Sequence, residues 1–353
     1  MKYVLISLLL LFSLRTLSQN IDSTDTKRAL VFIPVIFRTP ETSWGFGGGA
    51  FYQFRFKRAE KTSLAQLGIV YTLRKQLLSY ISWEAYPSNE NYRFQLELGY
   101  YIFNYDFFGV GNTVPDKGET YDVSFPRIKF LINRQLWKHH FLGLRFYYDN
   151  YRITKIVKDG ILDLSDELGK QGGINSRVGI NYIIDRRDNH IYSRDGWYLE
   201  GTVLWENKLT GGTFDNHDFT LDARYFEPLN FGSLAFKLLA RGIKGFIPFY
   251  EYAYMGGVKG TRGYLDTKYR DNYSIELNGE WRIPIWRFIR GVVFAGAGQV
   301  ASKVSAYKLN RFHPAGGLGL RFGISKHDPF NIGFDVAYAE KSLSYYLNFG
   351  ESF

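Results

Sequence analysis

The residues best suited to chemistry sit in one stretch, Gly256-Gly257-Val258-Lys259-Gly260-Thr261-Arg262-Gly263-Tyr264. Arg262 carries a planar, five-donor guanidinium that matches a carboxylate bidentately, and Gly260 and Gly263 allow the backbone angles of a tight tip around it. The chemistry on offer is recognition of an acid, not the making of a bond. Other constellations are weaker. Ser193 with His190, Asp185 and Asp188 has the types of a nucleophile and base set, but it falls in a turn between two strand-like segments, so no catalytic residue is expected and the chain is not read as an enzyme. The histidines at 139, 140, 190, 217, 313 and 327 lack the spacing of a metal site, and none is expected. Gly47 to Gly49 are followed by no lysine-serine pair, so the segment is a strand that bends and not a phosphate cradle. No cofactor is implied.

An acid-seeking loop needs a wall to meet. From Ala29 onward apolar and polar residues alternate over about sixteen segments of roughly nine to eleven residues, the length a tilted strand needs to cross a bilayer. They run over Ala29–Phe37, Trp44–Phe56, Leu64–Leu73, Leu77–Tyr86, Tyr92–Asn104, Tyr121–Arg134, His140–Tyr151 and Ser176–Asp185. The rest are Trp197–Glu206, His217–Phe226, Ser233–Arg241, Ser274–Ile285, Gly291–Gln299, Pro314–Gly323, Asn331–Tyr338 and Leu343–Phe349. The alternation is plainest where Ile275, Leu277, Gly279, Trp281, Ile283 and Ile285 oppose Ser274, Glu276, Asn278, Glu280 and Arg282. One face suits lipid and the other a wet lumen, which makes Glu280 the expected wall partner of Arg262. Short links alternate with long ones, as short turns on one side of a membrane and long loops on the other require. The fold class read from this pattern is all-β, a 16-stranded antiparallel transmembrane β-barrel.

Composition agrees. The 353 residues are 18% aromatic, with 36 glycines and no cysteine, which suits an exported barrel and removes disulfides and thiol catalysis. Tyr3 to Leu14 is a short apolar run followed by small residues, read as a signal peptide over 1–18; 19–28 is a short periplasmic segment and 29–353 the outer-membrane barrel. Beyond that run no stretch is long and apolar enough for a membrane helix. The net charge of +10 is spread singly among aromatics, as at Arg145 and Arg321, and not clustered, so no nucleic-acid partner is expected.

The loop ending in Lys259-Gly260-Thr261-Arg262-Gly263-Tyr264, the segment Asp185-Arg186-Arg187-Asp188-Asn189 followed by Asp195-Gly196-Trp197, and Glu280-Trp281-Arg282-Ile283-Pro284 together resemble the BamA/TamA outer-membrane assembly family, also called the bacterial surface antigen family. The resemblance spans about Ala29 to Phe353. It implies that the loop enters the barrel with Arg262 anchoring it, Glu280 as wall partner, Gly260 and Gly263 shaping the tip and Tyr264 packed in the lumen. It also implies a family Asp-x-Arg segment at Asp185, Arg187, Asp188 and Gly196. In the family a thirteenth-strand aspartate commonly shares the arginine, whereas this chain has Gly296 there, within Phe294-Ala295-Gly296-Ala297-Gly298. That departure puts the usual pairing in doubt. Periplasmic POTRA repeats have no room before Ala29.

The resemblance further implies an outer-membrane protein that assists insertion or translocation of proteins, opening at the seam between its first and last strands. Expected partners are outer-membrane lipids, and client outer-membrane proteins or a separately encoded periplasmic receptor. Two features bear on the seam. Pro34 lacks an amide donor within the first strand, which either weakens the seam ladder or shortens the rim. The last strand, through Phe353, resembles the C-terminal aromatic signal read by assembly machinery, with Glu351 interrupting its apolar alternation. The alternative reading is a passive outer-membrane pore for small solutes or lipid.

Overall fold

The computed structural model describes residues 29–39, 42–57, 59, 62–87, 91–189, 192–323 and 331–353. The expected signal peptide and periplasmic segment, with Pro40, His190, Ile324 and His327, lie outside the described residues.

Every wall strand read from periodicity is present. They are β1 (Ala29–Thr39), β2 (Ser43–Phe54), β3 (Ser63–Thr72), β4 (Leu77–Ala85), β5 (Tyr92–Phe107), β6 (Glu119–Trp137), β7 (His140–Lys155), β8 (Gly172–Asp185), β9 (Gly196–Glu206), β10 (Asn216–Leu229) and β11 (Gly232–Gly245). Two short strands follow inside a long loop, β12 (Ala253–Met255) and β13 (Tyr269–Asp271), and the wall resumes with β14 (Tyr273–Trp286), β15 (Ile289–Ala301), β16 (His313–Gly323), β17 (Asn331–Ala339) and β18 (Ser342–Phe349). Each wall strand pairs antiparallel with its neighbour in a single 16-stranded sheet, β11 passing directly to β14, while β12 and β13 form a separate ribbon. The sheet curls until β1 and β18 lie side by side with Cα atoms within 8 Å, yet no ladder joins them among the described residues. That line is the seam. Pro34 lies opposite Gly48 in the β1–β2 ladder.

Burial is inverted relative to a water-soluble protein. On β14, Leu277, Trp281 and Ile285 are exposed on the outside, whereas Glu276, Glu280 and Arg282 are buried within. Large apolar side chains facing outward and charges facing inward have only one favourable setting, a greasy surround and a polar interior. The strict period of two makes the sorting automatic, since a register slip of one residue would reverse it everywhere.

The strands outrun expectation most at one place. β5, β6 and β7 reach 16, 19 and 16 residues, longer than the nine to eleven a bilayer requires. Their extra length continues the β5–β6 ladder as far as Phe107↔Glu119. The extension carries Phe107, Tyr121, Val123, Phe125 and Tyr151 into an apolar cluster with Phe249 of the long loop. Burying these rings keeps the ladder paired at its outer end, where the long loop packs against it through Phe249. Periodicity alone shows a strand and not where its pairing stops.

Candidate functional site: a loop folded into the lumen

The loop between β11 and β14 is fastened before it descends. Arg270, in the β13 arm of the ribbon, donates to the carbonyls of Thr267 (2.9 Å) and Phe249 (3.2 Å), and its own carbonyl accepts from the Gly111 amide at 2.7 Å. Past β12, Gly256 and Gly257 adopt φ of +106° and +78°, left-handed geometry that turns the chain inward. Two wall side chains then catch backbone. Lys237 Nζ donates to the Lys259 carbonyl at 2.8 Å, and the Glu276 carboxylate accepts from the amides of Gly256 (3.1 Å) and Thr261. Gly260 serves closeness and not the backbone angle expected of it. A Cβ there would lie 2.3 Å from the Gly256 carbonyl and 2.6 Å from Glu276, so a side chain is shut out.

At the tip Arg262 does meet Glu280. One guanidinium nitrogen bonds Glu280 Oε1, the other bonds Asp335 Oδ2 at 2.8 Å, and the plane lies over the Phe294 ring, 3.5 Å from its centroid. Glu280 stands roughly 24 Å along β14 from its long-loop end at about 3.4 Å per residue. The loop therefore reaches well down the lumen. Gly296 offers no acid, and a Cβ there would press on Asn278 Oδ1 at 2.2 Å. The second carboxylate comes instead from β17, where Asp335 projects inward.

These acids are shared. Arg282 donates to Glu280 at 3.1 Å, and Arg321 reaches Asp335 at 3.2 Å and Glu351 at 3.1 Å. Three arginines face three side-chain carboxylates, so each of these buried charges has a partner of opposite sign. This matters because Glu280 and Asp335 are fully buried and Arg262 only 3% exposed, and an unpaired charge so placed is strongly unfavourable. Arg282 also donates to the Ser193 carbonyl (3.1 Å) and to a main-chain oxygen of Phe353 (2.6 Å). Phe353 thus folds inward under the network, and Glu351 is one of its members.

The tip also touches the seam strand. The Gly263 amide donates to the Tyr346 hydroxyl at 2.9 Å, and Ser344 Oγ donates to the Gly263 carbonyl at 3.3 Å. Gly263 has φ +113°, and a Cβ would sit 2.8 Å from that of Ala339, so angle and space both demand glycine. Tyr264 is buried, donates to the Pro314 carbonyl at 2.8 Å and meets the rings of Tyr269 and His313. Burial, helped by the Glu340 charge, pushes its phenol up to about 12. Glu340, in the β17–β18 turn, accepts from Lys268 Nζ at 2.6 Å and from Tyr269. Partial burial would raise its carboxyl, but the hydrogen bonds from Lys268 and Tyr269 prevail and hold it below the ordinary range.

The Asp-x-Arg segment is at the opposite, short-turn end. Arg187 grips Asp185 with two bonds of 2.8 Å and lies over Tyr198, while Asp188 Oδ1 accepts from the amides of Arg194 (2.9 Å) and Asp195 (3.2 Å). Gly196 has φ +98° with a Cβ position 2.1 Å from the Arg186 carbonyl. The segment is a locked turn whose link to the loop site runs through Arg282 and Ser193. Ser193 Oγ itself donates to the Asn189 carbonyl at 2.6 Å.

Sequence reasoning missed Asp335, Glu276, Tyr346, Phe294 and Lys237. A usable signal existed for Asp335: it stands alone as an acid in Asn331-Ile332-Gly333-Phe334-Asp335-Val336-Ala337, on the face that the β17 alternation turns inward.

Fold and site together define an outer-membrane β-barrel whose lumen is entered by its own loop. The chain matches the Omp85 superfamily domain over residues 32–349 and belongs to that superfamily. Its structure is similar to the crystal structure of BamA from Haemophilus ducreyi lacking POTRA domains 1–3, with a TM-score of 0.60 and 12% identity over 92% of this chain and 70% of that one. It is also similar to CdiB from Acinetobacter baumannii, with a TM-score of 0.55 and 13% identity over 93% of this chain and 60% of the other. CdiB from Escherichia coli gives 0.56 and 9% over 93% and 63%. The chain thus spans less than two thirds of either CdiB. A search of curated proteins finds no match.

Proposed function

We propose that this protein assists the insertion or translocation of proteins at the outer membrane, with the Arg262 loop acting as a lock that holds the last wall strands in place while clients engage at the seam. The reading rests on one observation above all: the loop tip bonds directly to β18, through Tyr346 and Ser344, and β18 faces β1 without a ladder among the described residues. A loop so placed senses the seam strand. Membership of the Omp85 superfamily and the likeness to BamA and CdiB barrels support the same reading.

The role is non-enzymatic. The acids beside Ser193 are spent on Arg187 and on backbone amides, and the serine hydroxyl on a carbonyl. Clients are outer-membrane or secreted polypeptides presented from the periplasmic side, and a separate receptor delivers them. A passive pore is less well supported, because the loop tip is tied to inward carboxylates of β14 and β17 and Phe249 packs the loop onto β5 and β6. Depletion of the protein followed by a census of outer-membrane proteins tests the proposal. Loss of a defined subset is expected; an unchanged census together with a wide, steady conductance in planar bilayers would replace it with the pore.

A further inference from the structure

The loop from Phe108 to Gly118 leaves the wall at β5 and returns to it at β6, yet Asn112 within it is bonded to β15 and β16. β5 and β6 are the fifth and sixth of the sixteen wall strands, β15 and β16 the thirteenth and fourteenth. Eight places of sixteen is half the circuit of a sheet whose two ends lie side by side, so the loop crosses the long-loop mouth from one wall to the other. Asn112 fastens the far side. Its Oδ1 accepts from the Val300 amide at 2.9 Å, its Nδ2 donates to the Arg311 carbonyl at 2.9 Å, and its own carbonyl accepts from His313 Nε2 at 3.1 Å. A carbonyl can only accept, so that imidazole nitrogen carries its proton. Gly109 and Gly111 turn the chain at φ of +98° and +123°, with open space where a Cβ would stand, so the angle alone demands glycine.

The crossing chain bears on the inserted loop. Val114 packs against the buried cluster of Met255, Tyr264, Tyr269, Val300 and Ala339, in which Tyr264 belongs to the tip and Met255 to β12. Gly111 shares a β-bridge with Arg270, and the buried Phe108 ring lies 5.8 Å from Lys268 Nζ. These contacts all fall on the β11–β14 loop, and the Asn112 bonds lie beyond it. We propose that residues 108–118 form a strap that seats the β11–β14 loop, with Asn112 as the positioning residue that fastens the strap to β15 and β16. The proposal rests on the reading of the seated loop as a lock. A loop beneath a fastened strap cannot withdraw toward the mouth, so the strap lets go first and the Arg262 tip second.

Hydrogen exchange on the full chain in detergent tests this. Asn112→Ala removes two hydrogen bonds, each worth about five-fold in the closed state, so the Gly111 amide, which donates to Arg270 and not to Asn112, is expected to exchange about thirty-fold faster. The Gly263 amide, next to Tyr264, should follow by a smaller factor. Arg262→Ala, which acts beneath the strap, is expected to leave Gly111 at its unaltered rate. The chain has no cysteine, so Asn112→Cys with Arg311→Cys introduces a single thiol pair. Oxidised, that pair should restore the unaltered rates at both amides; reduced, it should match Asn112→Ala. A general loss of structure would not reverse with redox state in one folded protein, and heat-modifiable migration on gels verifies that each variant retains the barrel. A Gly111 rate unmoved by Asn112→Ala, or a Gly263 rate that stays fixed while Gly111 accelerates, overturns the strap. If Gly263 responds to Asn112→Ala but not to Arg262→Ala, the lock reading falls and the strap stands.

Discussion

Arg262→Ala removes the one cation that joins Glu280 to Asp335 across the lumen. Removing one partner of a buried ion pair costs about 3–5 kcal/mol, chiefly because the other charge is left without compensation. Here each carboxylate keeps a second arginine, Arg282 for Glu280 and Arg321 for Asp335. The loss therefore falls at the low end, about 3 kcal/mol, and is confined to the tip. At about 1.4 kcal/mol per tenfold, opening of the loop becomes roughly a hundred-fold more frequent. Hydrogen exchange reads this directly, because the Thr261 amide is held by Glu276 and the Gly263 amide by Tyr346. Both should exchange about a hundred-fold faster, with amides in the β5–β6 ladder unchanged. Arg262→Lys should be intermediate, since an ammonium is a point charge that does not span two acids as a planar fork does. Unaltered exchange at both amides in Arg262→Ala would refute the claim that these ion pairs hold the tip.

Gly263→Ala meets both a left-handed φ and the Ala339 methyl; an increase in protease nicking within 256–266 is expected, from a loss of about 1–3 kcal/mol. Asp335→Asn leaves Arg321 with Glu351 but costs Arg262 its second acid, so planar-bilayer recordings should show more frequent opening than in the unaltered protein; quiet traces would count against the β17 acid. The Glu340 contact carries a sign. Its carboxyl is held below its ordinary 4.5 in the folded state, so its contribution is complete above that pH and is lost as pH falls through the lower folded value. Limited proteolysis around Thr267 should accelerate only below about pH 4.5, and Glu340→Gln should abolish that acid step.

How much of this was legible follows from the kind of rule involved. The sixteen wall strands were readable because a barrel between lipid and water enforces a period of two along its strands, and Ser274 to Ile283 follow it until Pro284, where the β14–β15 register shifts. Glu280 was readable for the same reason. Asp335 was not paired with Arg262 in advance, although its inward face was implied, because which of several inward acids a loop reaches depends on how far it descends and how the strands are staggered. Those are properties of the curled sheet as a whole. The roles of Glu276 and Lys237 escaped too, since both bind backbone, and backbone has no side-chain signature. Gly260 was singled out for its angle, whereas the structure shows a glycine needed for closeness, and in sequence the two read the same. The long β5–β6 hairpin was cut short because its outer end is stabilised by Phe249, more than a hundred residues away in the chain.

The placement of the tip constrains how the seam can move. Its contacts fall on each strand from β14 to β18: Glu276 and Glu280, then Phe294, the Pro314 carbonyl, Asp335, and finally Ser344 and Tyr346. These five strands and the tip form one tied body. Parting β1 from β18 breaks none of those bonds, whereas drawing β18 away from β17 breaks the bonds of Gly263 to Ser344 and Tyr346. Widening within the β14–β18 group further separates Glu280 from Asp335, both of which Arg262 holds. The tip's bonds thus tie β14 to β18 together and leave the β1–β18 line free of them. A disulfide engineered between β1 and β18 should then block client insertion with the loop exchange rates unchanged, while one engineered between β17 and β18 should leave insertion intact. The reverse outcome would move the opening away from the seam and deny the tip its place in holding β18.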